Sequence, residues 1–215
     1  PMYIECLENC DKSQVIHPDL KLTMGLGSRV INSYVSGNLS LERYACINRV
    51  TCRQYNGLGN FSYISRSSVG RYCSMGARIS VGAFQHPLDW LSISGMQFRS
   101  DSFADALTET IDYTYNDNVV TKIQNDVWIG DNAVIKSGVV LSTGCVVGAG
   151  SVVTKDVGPY EIVVGNPAKL LRRRFNGEII ESLLQSEWWE FSPRQLSGIS
   201  FDQINVAIEQ INQLK

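Results

Sequence analysis

Residues 123 to 158 read Ile123-Gln-Asn-Asp-Val-Trp, Ile129-Gly-Asp-Asn-Ala-Val, Ile135-Lys-Ser-Gly-Val-Val, Leu141-Ser-Thr-Gly-Cys-Val, Val147-Gly-Ala-Gly-Ser-Val and Val153-Thr-Lys-Asp-Val-Gly. Every sixth residue is Ile, Leu or Val. Four positions after each stands a small or β-branched residue: Val127, Ala133, Val139, Cys145, Ser151 and Val157. A period of six fits neither an amphipathic helix nor a strand alternating along its length. It fits a coil in which each hexapeptide makes one short strand and a turn. The aliphatic residue points inward, the small residue fills the corner, and Gly, Asn or Asp serve the turn's positive φ. Three such sides close a triangular coil. Ile123 then stacks under Leu141, Ile129 under Val147 and Ile135 under Val153, and the architecture is an all-β solenoid.

The remaining chain is read outward from that block. Residues 1–34 form an N-terminal segment, with Gly25 to Val30 as an entry coil and His17-Pro18 in loop-like surroundings. A weaker hexad of Val35, Leu41 and Ile47 follows, with Leu39, Ala45 and Thr51 in the second column. It loses register between Arg53 and Asn60, read as a local bulge at Gly57 and Gly59. Register returns at Tyr63, Val69, Met75 and Val81, with Ser67, Cys73 and Ile79 beside them. The solenoid domain is assigned to 35–170, interrupted by an excursion over about 87–122. That segment carries Trp90, Phe98, Phe103, Tyr113 and Tyr115, too many aromatics for a disordered linker. The repeat ends near Gly158-Pro159. The rest, 171–215, reads as a helical cap over the open end of the coil. One amphipathic helix spans Glu178 to Trp189 before Pro193. A second is capped by Ser200, with Phe201, Ile204, Ile208, Ile211 and Leu214 on one face.

Composition bounds the function. The chain has 215 residues, 44% hydrophobic, and a formal net charge of −2. Its charges are interspersed, so no nucleic-acid footprint is present. No apolar run has the length of a membrane span, and no basic-then-apolar stretch resembles a signal peptide. Pro1 before Met2 reads as a remnant of expression, and a cytoplasmic location is expected. Of the six cysteines, Cys73 and Cys145 fall in the small inward column, where a thiol is a small hydrophobe. Cys46 and Cys52 lie on different sides of the coil, too far apart to bridge, and Cys6 and Cys10 lack a second pair for zinc.

His86 is the leading candidate for chemistry. It ends Val81-Gly-Ala-Phe-Gln-His, where the excursion leaves an aliphatic coil, so it faces outward at a corner. Acyl transfer to a hydroxyl needs a base beside the acceptor proton, and imidazole suits that task near neutral pH. The competing reading is a surface histidine before a turn proline. Asp89 is a candidate to orient the ring, though its spacing equally suits a turn cap.

Three pieces, NDVWIGDNAVIKSGV (125–139), GAGSVVTKDV (148–157) and VVGNPAK (163–169), resemble the hexapeptide-repeat acyltransferases. The resemblance implies a left-handed parallel β-helix; the general preference of β crossovers is right-handed. His86, the excursion after it and Glu187-Trp188-Trp189 are similar to the xenobiotic acetyltransferase branch, which includes chloramphenicol and streptogramin acetyltransferases. The resemblance covers roughly residues 60–190 apart from the excursion. It implies a homotrimer in which the excursion walls a neighbouring subunit's site, and acetyl-CoA as cosubstrate, with no metal. The pantetheine arm would lie by Asp131, Ala149 and Ser151, and the nucleotide phosphates near Thr154, Lys155, Lys169 and Arg172. Lys and Arg suit such phosphates, while Arg172-Arg-Arg174 also reads as a solvated basic turn. By resemblance Trp128 and Trp188 are structural.

The function this implies is O-acetyl transfer to a hydroxyl, with His86 as general base. A sugar or polysaccharide precursor is ranked first as acceptor, an antibiotic second, and amino-sugar N-acetylation third. That order reflects Leu91-Ser-Ile-Ser-Gly-Met-Gln-Phe98, which stands where drug-inactivating members carry a Ser-Thr-Tyr-Pro-Phe-like piece. A zinc-dependent carbonic anhydrase on this fold needs three histidines, and the chain has two. No GxxxxGK[ST] or helix-opening GxGxxG is present. A non-catalytic solenoid scaffold is the remaining alternative.

Overall fold

The computed structural model describes residues 21–83, 85–98, 109–111, 113 and 118–215. The readings of Pro1, Met2, Cys6, Cys10, His17, Pro18, Phe103 and Tyr115 fall outside them. The chain winds through about seven turns of a three-sided coil. The first turn is β1 (Leu22–Met24), β2 (Arg29–Ile31) and β3 (Tyr34–Val35). The next two are β4 (Leu39–Leu41) with β5 (Cys46–Cys52), and β6 (Asn56–Leu58) with β7 (Tyr63–Val69). The fourth is β8 (Ser74–Met75) and β9 (Ser80–Val81), closed after the excursion by β10 (Thr121–Ile123). Then come β11 (Trp128–Ile129), β12 (Val134–Ile135) and β13 (Val140–Leu141). The sixth turn is β14 (Val146–Val147) and β15 (Val152–Val153), with Val157 bridging to Leu141, and the coil closes with β16 (Glu161–Val164). All these pairings are parallel. Ile123 sits on Leu141, Ile129 on Val147 and Ile135 on Val153, as the repeat predicts.

The coil reaches beyond the regular repeat at both ends. It is already wound at Leu22, ahead of Val35, and it runs on past Gly158-Pro159 to Val164. The excursion ends sooner than 122, because Thr121 already pairs with Ser67. The register loss at Arg53–Asn60 is no single bulge. In the N-terminal turns Leu41 pairs with Leu58 and Leu58 with Met75, seventeen residues apart rather than eighteen. The missing residue comes from one side of each turn, where β5 and β7 bend round a corner at Arg49 (φ 56°) and Arg66 (φ 43°). Val50, not Thr51, is therefore buried, and Ile64, not Tyr63, points inward.

Positive φ at the corners is met by more than Gly, Asn and Asp. Tyr44, Phe61, Tyr55 and Tyr72 all adopt it. Left-handed backbone costs such residues about 1–2 kcal/mol each. Successive turns bring Tyr44 onto Phe61 and Tyr55 onto Tyr72, with ring centroids 5.2 and 4.9 Å apart. Stacking of this kind offsets about 0.5–1.5 kcal/mol per pair. Elsewhere a missing side chain is needed for close approach: a Cβ on Gly130 would lie 2.6 Å from the Ala149 backbone nitrogen in the next turn.

The C-terminal segment carries the two expected helices and also packs against the side of the coil. After β16 the chain reverses into an antiparallel edge strand, β17 (Lys169–Arg173), and then α1 (Gly177–Ser186), capped by the Asn176 side chain. α1 is shorter than predicted; Glu187 turns left-handed (φ 46°) and a 3-10 turn covers Trp188–Glu190. That turn packs along the side of the coil. Tyr72 donates to the Phe191 carbonyl at 2.6 Å, and Arg71 to the carbonyls of Trp189 and Glu190 at 3.0 and 2.6 Å. Arg53 grips the Glu190 carboxylate with two bonds of 2.8 and 2.7 Å. These Arg53 bonds hold the Glu190 carboxyl below its ordinary range. The second helix, α2 (Ile204–Asn212), begins after Gln203 without a side-chain cap; the Ser200 amide is bound instead by Gln210, and Phe201 is exposed. Its Ile204 and Ile208 join Tyr160, Ile180 and Leu183 in a satellite core separate from the coil's interior.

Cys73 and Cys145 are buried in the coil as the repeat predicts, and burial raises both thiols, Cys145 to about 12. Cys46 and Cys52 are buried and unbridged, and burial pushes Cys52 up to about 11. Among the described residues no helix is long and apolar enough to cross a membrane.

Candidate active site

The excursion leaves the coil after Gly82, whose φ of 69° lets the backbone pass within bonding distance of the turn below. The Ser65 hydroxyl donates to the Gly82 carbonyl at 2.6 Å, and a Cβ at Gly82 would meet the Ser65 carbonyl oxygen. Three residues later Gln85 ties the outgoing strand to the coil by a 2.5 Å bond from its amide to the buried Ser137 hydroxyl. His86 follows on the surface, anchored from both sides.

The His86 Nδ1 lies 2.6 Å from the main-chain oxygen of Ile93. A carbonyl only accepts, so Nδ1 carries the proton, and the neutral ring holds its lone pair on Nε2. The orienting partner is thus a loop carbonyl rather than Asp89, which is exposed. Phe98 stands 6.0 Å from the imidazole, centroid to centroid, and continues into a cluster with Tyr113 and Trp90. Around this cluster Leu88, Leu91, Ile93 and Ile111 expose more than half of their surface. Neither the Ile93 carbonyl nor the bonds that hold it were readable in the sequence, because any residue supplies a carbonyl.

The other candidates are distributed around the upper turns. Thr154 and Lys155 are exposed at the corner after β15. That corner belongs to the same column as Gly82, because Val81 pairs with Ile135 and Ile135 with Val153. His86 and Lys155 therefore leave the coil from one edge. Asp131 and Ala149 are exposed on the preceding edge. One Asp131 oxygen accepts from the Ala77 amide at 2.9 Å, the role that Asn60 plays toward Arg43 lower in the coil. Ser151 is fully buried; its hydroxyl accepts from the Gly165 amide at 3.0 Å, so the side chain cannot line an external groove. Lys169 and Arg172 are exposed on β17. Arg174 is not part of a solvated basic turn: it donates to Asp126 and to the Gly144 carbonyl, both at 2.9 Å, and lies over the Tyr160 and Phe175 rings. Trp188 tilts against Tyr72 with centroids 5.2 Å apart, whereas Trp128 is 57% exposed on an outer side. Two clefts, of about 190 and 350 Å³, flank the Asp126–Arg174 pair, and neither is lined by His86 or Lys155. Among the described residues no group of three His, Cys, Asp or Glu is placed to hold a metal.

A three-sided parallel coil with an anchored histidine at its excursion defines the class as hexapeptide-repeat acyltransferases, and comparison with known proteins agrees. The bacterial transferase hexapeptide family (six repeats) matches residues 121–155. A chloramphenicol acetyltransferase of Klebsiella aerogenes is 38% identical over 138 residues, 63% of this chain and 64% of that protein. A probable macrolide acetyltransferase of Lysinibacillus sphaericus is 33% identical over 145 residues, 66% of this chain and 77% of that protein. Among solved structures, an N-acyltransferase from Bacillus cereus, in complex with dTDP and coenzyme A, superposes with a TM-score of 0.58 at 17% identity. That match covers 80% of this chain and 90% of the other. The chain belongs to the hexapeptide-repeat acetyltransferases, in the branch that holds the chloramphenicol and macrolide enzymes, and its coil is the left-handed β-helix of that family. The match spans a little under two thirds of the length of the chloramphenicol acetyltransferases.

Proposed function

We propose that the protein is an acetyl-CoA-dependent O-acetyltransferase with His86 as general base. The observation that carries this reading is the 2.6 Å contact of His86 Nδ1 with the Ile93 carbonyl, which puts the ring's basic lone pair on Nε2. In the reaction Nε2 takes the acceptor hydroxyl proton as the oxygen attacks the thioester carbonyl. The tetrahedral intermediate collapses, the C–S bond breaks, and the proton passes to the departing CoA sulfur. No covalent enzyme intermediate is needed. The oxyanion requires a donor at the site, for which a main-chain amide is suited.

The donor's fit is uneven across the proposed residues. Thr154 and Lys155 at the His86 edge, and Lys169 and Arg172 on β17, present exposed groups of the kind a diphosphate and 3′-phosphate need. Ala149 is exposed at its corner. Asp131 contributes through its position, one of its oxygens being occupied, and Ser151 only from behind the wall. Acetyl-CoA is expected to raise the melting temperature, by about 2.7 kcal/mol of added stability at about a hundred times Kd. Lys155→Ala weakens that shift, and the deficit shrinks in high salt because exposed charge pairs are screened. Calorimetry with CoA, acetyl-CoA and dephospho-CoA reads this directly. No binding of any of them at millimolar concentration would leave a non-catalytic scaffold.

A hydroxyl of a sugar or polysaccharide precursor is one acceptor for this chemistry. A second reading, an antibiotic-type alcohol, is favoured by the Trp90–Phe98–Tyr113 cluster and the exposed aliphatic residues around His86. Release of free CoA thiol from a panel of sugars, chloramphenicol-type and macrolide-type alcohols, and amino sugars separates these acceptors. The resemblance implies a site completed by a neighbouring copy, and we read the assembly as a homotrimer in the cytoplasm. Light scattering at micromolar concentration is expected to give three times the chain mass; a monodisperse monomer would remove the shared site.

A further inference from the structure

Resting on the reading of His86 as base, we propose that Ser92 and Gln97 are positioning residues that set the imidazole's tautomer. The Ile93 carbonyl and the Ser94 amide are opposite ends of one planar peptide unit. On one end the carbonyl takes His86 Nδ1; on the other the Ser94 N–H donates to the Ser92 hydroxyl at 3.0 Å. Rotating that plane to lose one bond loses the other. Ser92 is itself held, since the Gln97 side-chain amide donates to the Ser92 carbonyl at 2.5 Å. Gln97 is only 8% exposed, a buried polar side chain in an otherwise open loop, and its own carbonyl takes the Ile111 amide at 2.7 Å. The Ser94 hydroxyl closes the knot by accepting from Met96 at the start of a 3-10 turn over Gly95–Gln97. A buried amide bonded on both its side chain and its main chain links Ser92 to Ile111 within the excursion. The group it steadies is the carbonyl that orients His86.

The test reads the tautomer itself. The chain has two histidines, His17 and His86, so long-range proton–nitrogen correlation spectra of this 215-residue chain contain two imidazoles, and His17→Asn assigns them. The wild type is expected to show His86 protonated at Nδ1. Ser92→Ala and, independently, Gln97→Met shift it toward the Nε2-protonated form, while Ser92→Thr, which keeps the hydroxyl, restores the wild-type pattern. Turnover in Ser92→Ala falls on the order of 10- to 100-fold with the KM for acetyl-CoA unchanged, because the tautomer and angle of the base are disturbed while the groups proposed for the donor are untouched. An unchanged His86 pattern in both Ser92→Ala and Gln97→Met, with the fold intact by circular dichroism, overturns the proposal. A shifted tautomer with undiminished turnover leaves the brace standing and removes the base reading instead.

Discussion

Replacing His86 by alanine is expected to lower turnover on the order of 10²- to 10⁴-fold, the range in which a positioned general base contributes. The loss falls on kcat and on kcat/KM for the acceptor, since the imidazole acts on the acceptor's proton in the transition state. Acetyl-CoA affinity is expected to change little, because the charged groups proposed for the donor lie at Lys155 and on β17. The substitution is mild for the fold: His86 is exposed and lies outside the coil's core. Steady-state kinetics with any acceptor that turns over, paired with calorimetry on acetyl-CoA, check both halves. Near-normal turnover in a folded variant would end the base mechanism and return His86 to a surface residue before a turn.

The C-terminal turns were legible in the sequence because each residue there answers to one constraint. Ile129 and Val147 are eighteen apart, each turn repeats the last, and nothing else competes for the inward position. The N-terminal turns follow the same rule with one residue removed per turn, and a six-residue ruler then slides. It selected Tyr63, an aromatic that fits a core as well as Ile64 does, when the corner at Arg66 had already spent the missing residue. The side contacts of the C-terminal segment are hidden for a different reason. Its amphipathic helices required an apolar partner, and the open end of a coil is the default one. What draws it to the side is Arg53, Arg71 and Tyr72, polar residues spread over two turns that converge on Glu190 and Phe191 only once the coil is wound. The site divided in the same way. His86 could be chosen by its type and its place before the excursion, while its partner is a carbonyl that carries no side-chain signature. Ser151 had satisfied two descriptions at once, the inward column and the proposed donor groove, and the hydrogen bond to Gly165 shows which one the hydroxyl serves.

Ile129→Ala is expected to cost about 2–5 kcal/mol, the largest stability effect of any single substitution considered for this chain. Ile129 is fully buried in β11, which pairs on one side with β8 through Met75 and on the other with β14 through Val147. Removing its side chain opens a void between two rungs. Neither rung can sink to fill it, because ladder bonds fix their spacing: Gly76 N to Ile129 O at 2.8 Å below and Gly130 N to Val147 O at 2.8 Å above. The close approach of Gly130 to Ala149 adds a second stop, with backbone already in contact across the corner. A solenoid holds together through neighbour contacts, so a weak rung in the middle also weakens the coupling of the turns on either side. Against a total stability of about 5–15 kcal/mol, such a loss is a large share. Val134→Ala is the matched control. Val134 lies one turn-side along in β12, is 38% exposed on the outer surface, and should cost within about 0.5 kcal/mol. Urea unfolding of the two variants beside the wild type measures the difference. Equal, small losses at both positions would mean that the aliphatic column is not what holds the turns together.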